Sequence, residues 1–407
     1  MTDTGRPAQG RFTRRGLLKG AALMGCSVAA HPLTTAITFA SAPGDARLVV
    51  IILRGGMDGL DVVRPVGDPG FAALRPAASP GLDLGGFYQL HPALSPLYPL
   101  WQAGQLGVVH ATSTPYRDKR SHFDGQDLLE AGTGFDVDAP HVRDGWLNRM
   151  LQTTPGLRGE TAYAVGSEEL KILSGAAPFK SWSPDARLNL TAQAQLLLGE
   201  VYKDDPLFRG AADQAIQLAE LGRFGGTAPR EVALAEAMRK GGGRAGEALA
   251  AFAAARLYDE ARIAAFSLPG WDTHRGQEGA ITRSLGRLAE TILVLKRGLG
   301  PVWDKTAVLA MTEFGRTARL NGTEGTDHGT GGAMLTAGGA LRGGRVLGRW
   351  PGLGEADLYD RRDLMPTSDV RSYAAWVMRG LFGVERSAIE TSIFPGLDLG
   401  EDPGLVL

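Results

Sequence analysis

Cysteine is nearly absent from this chain. Cys26 is the only one in 407 residues, and it falls in a leader segment taken up below. The body of the protein therefore has no disulfide and no thiol nucleophile, and a zinc site made of cysteines is excluded. An excess of positive charge is missing too. The net charge is −1, and without the first 42 residues 38 basic face 43 acidic residues, a balance of −5. That mildly acidic balance argues against nucleic acid as a partner. No solenoid period is present. The apolar stretch near the start is broken by glycines and by His31, so no stable membrane span is expected in the mature form.

What is present suits a loop-rich enzyme better than a repeat protein. The hydrophobic fraction, 43%, supplies a substantial core, and the length accommodates one large α/β domain or two domains. Glycine is abundant, at 57 residues, and falls in loops such as Gly241-Gly242-Gly243 and Gly338-Gly339.

Residues 1–42 read as an export signal. Five basic residues (Arg6, Arg11, Arg14, Arg15, Lys19) accompany one acid, Asp3, and Arg14-Arg15 opens a twin-arginine motif before a moderately apolar stretch. Ala40-Ser41-Ala42 offers a small-residue cleavage site, although Pro43 directly after it is unfavourable. Leu23-Met24-Gly25-Cys26 resembles a lipoprotein box, which makes a lipid anchor at Cys26 the alternative. The expected location is periplasmic or extracellular, with the twin-arginine export machinery as a partner.

Leu48–Leu53 is a continuous apolar, β-branched run, the pattern of a buried parallel strand. It ends in Arg54-Gly55-Gly56, so Asp58 and Asp61 follow a strand's carboxyl end, where open α/β sheets bind ligands. Helical spacing marks His91–Gly104, and Leu106–His110 is a second strand. The loop Ser113–Asp124 then offers hydroxyls and basic residues before a helix that runs to about Glu130, a plausible anion site. Ser113, Thr114 and Ser121 are candidate nucleophiles, with Ser121 equally readable as a helix cap. Further strands are expected near Ala162–Val165 and Lys171–Leu173, and an all-helical insertion from Leu190 to about Glu260. Arg262–Ser267 is the next strand and delivers Asp272 and His274. A helix over Ile281–Arg297 follows, with Leu285, Leu288, Ile292 and Leu295 on one face. Thr306–Met311 is a strand delivering Thr312, Glu313 and Arg316, and Asp327-His328 precedes the short strand Ala333–Thr336. A last helix spans Val370–Leu381.

This alternation predicts a doubly wound, mainly parallel α/β sheet with a helical insertion. Two acid–imidazole pairs and a lone acid, all after strands, point to a metal site, since divalent metals take carboxylate oxygen and imidazole nitrogen. Asp58, Asp272, His274, Asp327 and His328 are the expected ligands, with Glu313 as a further ligand or a support. Zinc, manganese, magnesium and calcium all remain open. Arg117, Arg120 or Arg316 would supply a guanidinium fork for an anion's oxygens there.

Six stretches resemble a known family, the bacterial domain-of-unknown-function family 1501. They are Leu53–Leu60, Thr114–Arg117, Arg120–Asp124, Trp271–His274, Thr312–Thr317 and Thr326–Gly329. The resemblance implies kinship with the alkaline phosphatase and sulfatase superfamily, hence an alkaline phosphatase-like core over residues 43–407. It places Asp58, Asp272, His274, Asp327 and His328 where metal ligands are expected, and the nucleophile in the loop from Ser113 to Ser121. The first pair is Asp-x-His, a tighter spacing than in alkaline phosphatases, and no histidine follows His328. A single-metal, sulfatase-like site fits this better than a two-zinc site. Ser113-Thr114-Pro115-Tyr116-Arg117 matches the serine form of the sulfatase modification motif. The expectation is an exported metal-dependent hydrolase of phosphate or sulfate esters, acting on a small molecule or a surface polymer. A non-catalytic binding or assembly protein on the same scaffold is the alternative.

Overall fold

The computed structural model describes residues 37–40, 44–134, 144–154, 170–182, 245–258 and 261–407. Twelve strands are labelled in chain order among these: β1 Ile37–Ala40, β2 Arg47–Arg54, β3 Val63–Arg64, β4 Leu82–Asp83, β5 Gln89–Leu90, β6 Leu106–Ser113, β7 Lys180–Trp182, β8 Ile263–Pro269, β9 Thr306–Met311, β10 Gly332–Ala337, β11 Val346–Leu347 and β12 Ser368–Asp369. The main helices are α1 His122–Ala131, α2 Trp146–Thr153, α3 Ala245–Tyr258, α4 Gln277–Leu299 and α5 Val370–Phe382.

The central sheet has the order β11-β6-β10-β9-β2-β8-β1-β7, with β12 also beside β6. β2 pairs in parallel with β8 and β9, and β11 and β12 pair in parallel with β6. Two strands oppose this direction: β10, antiparallel to both β6 and β9, and β1, antiparallel to β8 and β7. β3, β4 and β5 form a separate small antiparallel sheet.

The uninterrupted apolar run of β2 follows from its position. Val49, Ile51 and Leu53 join one buried cluster with Leu249, Phe252 and Leu257 of α3 and Ile281, Leu285, Leu288 and Ile292 of α4. Leu48, Val50 and Ile52 join the other, with Trp146, Leu147 and Met150 of α2 and Ala374, Val377 and Met378 of α5. Side chains alternate across a strand, so a strand covered on both faces must be apolar at every position. The expected doubly wound α/β core is therefore observed.

α4 extends the expected Ile281–Arg297 by four residues at its start and two at its end. Its apolar positions recur at helical spacing, Glu278 lies in the first turn, and Lys296 and Arg297 lie in the last, where they complement the helix dipole. Gly300, at φ 52°, ends it. The strand expected at Thr306–Met311 is β9 without change, and Ala333–Thr336 lies inside β10.

Two expectations need correction. Lys171–Leu173 is a 3-10 turn, not a strand. Its Ile172 N–H donates to Glu130 Oε2 at 3.0 Å rather than to a neighbouring strand, and an apolar run this short carries no period to tell the two apart. His91–Gly104 is not one α-helix. Pro92, Pro96 and Pro99 divide it into the 3-10 turn Pro92–Leu97 and the short helix Tyr98–Gln102, because proline donates no N–H to a helical ladder.

The leader lies outside the described residues apart from Ile37–Ala40, so the sheet reaches into the span assigned to it. The strand expected at Ala162–Val165 also lies outside them. So does the expected insertion, except for α3. Among the described residues no helix is long and apolar enough to cross a membrane.

Leu288 is buried where α4 meets the sheet, whereas Arg283 on the same helix is exposed. Leu288→Ala is expected to cost about 2–5 kcal/mol through the cavity it leaves, and Arg283→Ala at most about 0.5 kcal/mol. Chemical denaturation of the two variants against the parent checks the difference.

Candidate metal centre

One edge of the sheet gathers the chemistry. β2, β6, β8 and β9 run in one direction and end at this edge, and the antiparallel β10 begins there. The loop after β6 leads to His122, the loop after β8 carries Asp272 and His274, and the segment between β9 and β10 carries Glu313, Arg316, Asp327 and His328.

The four groups at the centre are Asp272, His122, His274 and His328. Asp272 Oδ1 lies 3.0 Å from His274 Nε2, 3.3 Å from His328 Nε2 and 3.4 Å from His122 Nε2. His274 Nε2 and His328 Nε2 are themselves 3.0 Å apart. The other nitrogen of each ring points outward to an oxygen acceptor. His122 Nδ1 meets Glu313 Oε1 at 2.8 Å, His274 Nδ1 meets Asp327 Oδ1 at 3.1 Å, and His328 Nδ1 meets the Arg120 carbonyl at 2.8 Å. These partners assign the proton of each neutral ring to Nδ1 and leave an Nε2 lone pair facing inward. Metal-binding histidines are commonly held in this way, by a carboxylate or a backbone carbonyl behind the ring. His122 Nε2 is buried and lacks a hydrogen-bond partner. An orphaned inward nitrogen beside a carboxylate and two more imidazoles is a donor set that fits a divalent cation.

The electrostatics agree with that fit. Burial works to raise the pKa of Asp272, but the close approach of His122, His328 and Arg316 overcomes it and holds the carboxyl well below its ordinary range. Burial works to lower the pKa of His122, but the carboxylates of Asp272 and Glu313 beside its two nitrogens push it up to about 9. The site therefore favours positive charge at the point where the four groups meet. It is open to solvent on one side: the side chains of Asp272 and His274 are 43% and 41% exposed, those of His122 and His328 23% and 19%. The inner wall is aromatic, with the buried Phe314 ring 5.0 Å from His122 and 5.3 Å from His328.

Glu313 supports the centre from below. It is fully buried, and its carboxylate accepts from Gly55 N at 2.9 Å, Gln126 Nε2 at 3.1 Å and Thr312 Oγ1 at 3.0 Å besides meeting His122. Burial opposes its ionisation, yet these hydrogen bonds, led by that of His122, hold its pKa below the ordinary value. Arg316 is also buried. It donates to Asp272 Oδ1 at 2.6 Å, Gly55 O at 3.3 Å and Thr326 Oγ1 at 3.1 Å, and to the Thr326 carbonyl. Its guanidinium is occupied by the protein and orients Asp272.

The other expected residues stand apart from the four-group cluster. Asp58 caps the turn Gly59–Val62 through Leu60 N and Asp61 N. Its second oxygen accepts from Arg75 Nη2 at 2.9 Å and Gln277 Nε2 at 2.7 Å. Ser113 Oγ donates to the Thr114 carbonyl, and Thr114 Oγ1 to the Glu313 carbonyl, at 2.8 and 2.9 Å; both residues are buried. Ser121 is half-buried and caps α1, its Oγ accepting Asp124 N at 3.4 Å. Arg117 folds back onto Ser113 Oγ and the carbonyls of Thr114 and Tyr116. The Arg120 side chain is exposed, while its carbonyl holds His328. His122 is the member of the cluster that the acid–imidazole pairs did not flag. It lies in Arg120–Asp124, one of the stretches carrying the resemblance, and that was the available signal.

Asp61, His91 and Glu278 form a second cluster of possible ligands, but the same tautomer test turns it away. His91 Nδ1 accepts Ala93 N at 3.1 Å, so the proton of the neutral ring sits on Nε2 and no lone pair faces the carboxylates. The buried Arg64 guanidinium, 3.0 Å from Asp61 and 3.7 Å from Glu278, already supplies the cation there.

Close backbone approach sets the geometry of the main cluster. A Cβ on Gly55 would lie 2.4 Å from Asp272 N, and Gly55 has φ +123°. Gly85, at φ +95°, has open space around it. Gly85→Ala is expected to cost about 1 kcal/mol from the backbone alone. Gly55→Ala adds the collision and is expected to cost several kcal/mol, on the order of the largest single-residue effects. Paired unfolding curves check this.

A family model described as "Protein of unknown function (DUF1501)" matches residues 111–390. That span holds all four residues of the cluster together with Glu313 and Arg316, and begins after Asp58. Searches of curated proteins and of solved structures returned no match.

Proposed function

The chain belongs to the DUF1501 family, and from that premise we propose that it is an exported, metal-dependent hydrolase of phosphate or sulfate esters. The observation that carries the reading is the convergence of three imidazole Nε2 atoms on Asp272 Oδ1, each ring held from behind by an oxygen acceptor. His122, His274, His328 and Asp272 would hold the cation. A donor set of three nitrogens and one oxygen suits zinc better than manganese, magnesium or calcium, which favour oxygen donors. When bound, the cation supplies Lewis acidity to an ester's anionic oxygens.

The chain's own groups divide the remaining work. Glu313, Asp327 and the Arg120 carbonyl fix the three ring orientations. Arg316 holds Asp272 and has no free face for substrate. Ser121 is the favoured nucleophile of the three hydroxyls, because Ser113 and Thr114 are buried and donate to carbonyls, whereas Ser121 is half-buried and adjoins His122. Arg120 is the guanidinium left exposed to meet non-bridging oxygens. The Arg14-Arg15 leader supports export of the folded, metal-loaded protein to the periplasm or beyond. A substrate of either size, small ester or surface polymer, can approach the solvent-open side of the centre.

A second reading rests on the inward commitment of Arg316 and Arg117. A binding or assembly protein needs no free oxyanion clamp, and its cation would be structural. Purification without chelator, followed by metal analysis, separates the outcomes. About one transition-metal ion per chain is expected, as for a single-metal site, with loss of that ion in His122→Ala. Aryl phosphate and aryl sulfate then decide the chemistry. Turnover of one of them is expected, and Ser121→Ala is expected to lower kcat by on the order of 10³-fold or more. Full metal retention in His122→Ala would sink the proposed centre, and a metal-loaded protein that turns over neither ester would make the binding reading correct.

A further inference from the structure

Among the described residues, the non-glycine residues in the left-handed backbone region are Ala111, Asp118, Arg120, Glu324, Asp360 and Arg361. Such conformations persist only where surrounding contacts over-determine them. Asp118 and Arg120 belong to one short strap, Tyr116–Ser121, which leads directly into His122. Tyr116 is buried against Phe314, but Asp118, Lys119 and Arg120 are exposed, so burial does not fix the middle of the strap. Hydrogen bonds do, three of them made by the side chains of Tyr116, His328 and Tyr359. Ser121 N donates to Tyr116 Oη at 2.6 Å, His328 Nδ1 meets Arg120 O at 2.8 Å, and Tyr359 Oη donates to Asp118 Oδ1 at 2.9 Å.

The third bond comes from outside the centre. Tyr359 is anchored to Asp363 by a reciprocal pair of backbone bonds, each 2.9 Å. Asp363 accepts Thr330 Oγ1 at 3.0 Å, and the neighbouring Arg362 donates to the His328 carbonyl. Tyr359 thus ties the strap that delivers His122 to the segment that backs His328. Asp360 and Arg361, also left-handed, follow it directly.

We infer that Tyr359 is a positioning residue for the candidate metal centre: its bond to Asp118 latches the Tyr116–Ser121 strap, and the latch presents His122 to the cation. The inference rests on the metal-centre reading above. Tyr359 touches none of the four ligating groups, so its effect is on where His122 stands. In the latched, zinc-loaded protein the strap is held at both ends, and Lys119 and Arg120 are poor trypsin sites. With the latch or the zinc removed, the strap relaxes and both become good ones.

The test uses the full chain loaded with zinc. Affinity is read by competition with a chelator, and strap opening by the rate of trypsin cleavage after Lys119 and Arg120. Tyr359→Phe removes one hydroxyl and is expected to weaken zinc binding about tenfold, the lower end of the effect of losing an outer support, and to speed cleavage. Asp118→Ala is expected to match it, and the double variant to be no worse than either single one. Asp118→Asn keeps an acceptor and tolerates the left-handed backbone, so it is expected to bind zinc as the parent does. Unchanged affinity and cleavage in Tyr359→Phe would overturn the latch while leaving the hydrolase reading intact. Additive losses in the double variant would overturn it too. A parent chain that takes up no zinc would remove both the latch and the centre it serves.

Discussion

A single carboxylate oxygen organises this molecule's chemistry. Asp272 Oδ1 faces three imidazoles and receives the Arg316 guanidinium at 2.6 Å. The arginine is buried and the aspartate half-exposed, so the pair sits at the boundary between protein and solvent. Arg316 cannot leave without stranding a buried charge, and its other bonds run to Gly55 and Thr326. The position of Asp272 is thereby tied to the end of β2 and to the loop before β10. The three histidines then depend on the same point, each approaching from a different segment and each braced from behind.

This arrangement needs the sheet to present its loops at one edge. The parallel strands β2, β8 and β9 deliver their carboxyl ends there, and the antiparallel β10 starts there, so residues on both sides of the β9–β10 connection meet. The loops cross at backbone contact distance. Gly325 passes so close to His274 that a Cβ would lie 2.1 Å from its carbonyl carbon. The glycine richness of the chain thus has a specific use: loops from separate strands can touch through their backbones, which frees the side chains to point at a common centre.

Much of the scaffold was legible in the sequence. The apolar runs at Leu48–Leu53 and Thr306–Met311 and the periodic face of α4 are strong local signals, because burial on both sheet faces or on one helical face dictates every residue in them. Signals failed where local physics was ambiguous. Lys171–Leu173 was too short to show a period. Asp58 follows a strand, as a ligand would, but the same position also caps a turn, and the buried Arg75 satisfies its charge. Ser121 shows both characters, cap by observed contact and nucleophile by proposal.

The sequence by itself determined the doubly wound core, the family stretches, and the acid–imidazole pairs at strand ends, since each depends on neighbours within a few residues. Tertiary structure alone decided which of those groups meet. His122 lies 150 residues before Asp272 in the chain, and no local pattern distinguishes it from a surface histidine on a helix start. Its place in the cluster follows from Glu313, which is buried beneath it and turns its Nε2 inward. The tautomers of His91 and His122 were likewise beyond the sequence: one ring accepts a backbone N–H and the other faces a carboxylate. That choice of partner, made by the packing of distant segments, separates a neutral ring whose Nε2 lone pair faces the cluster from one whose Nε2 carries the proton.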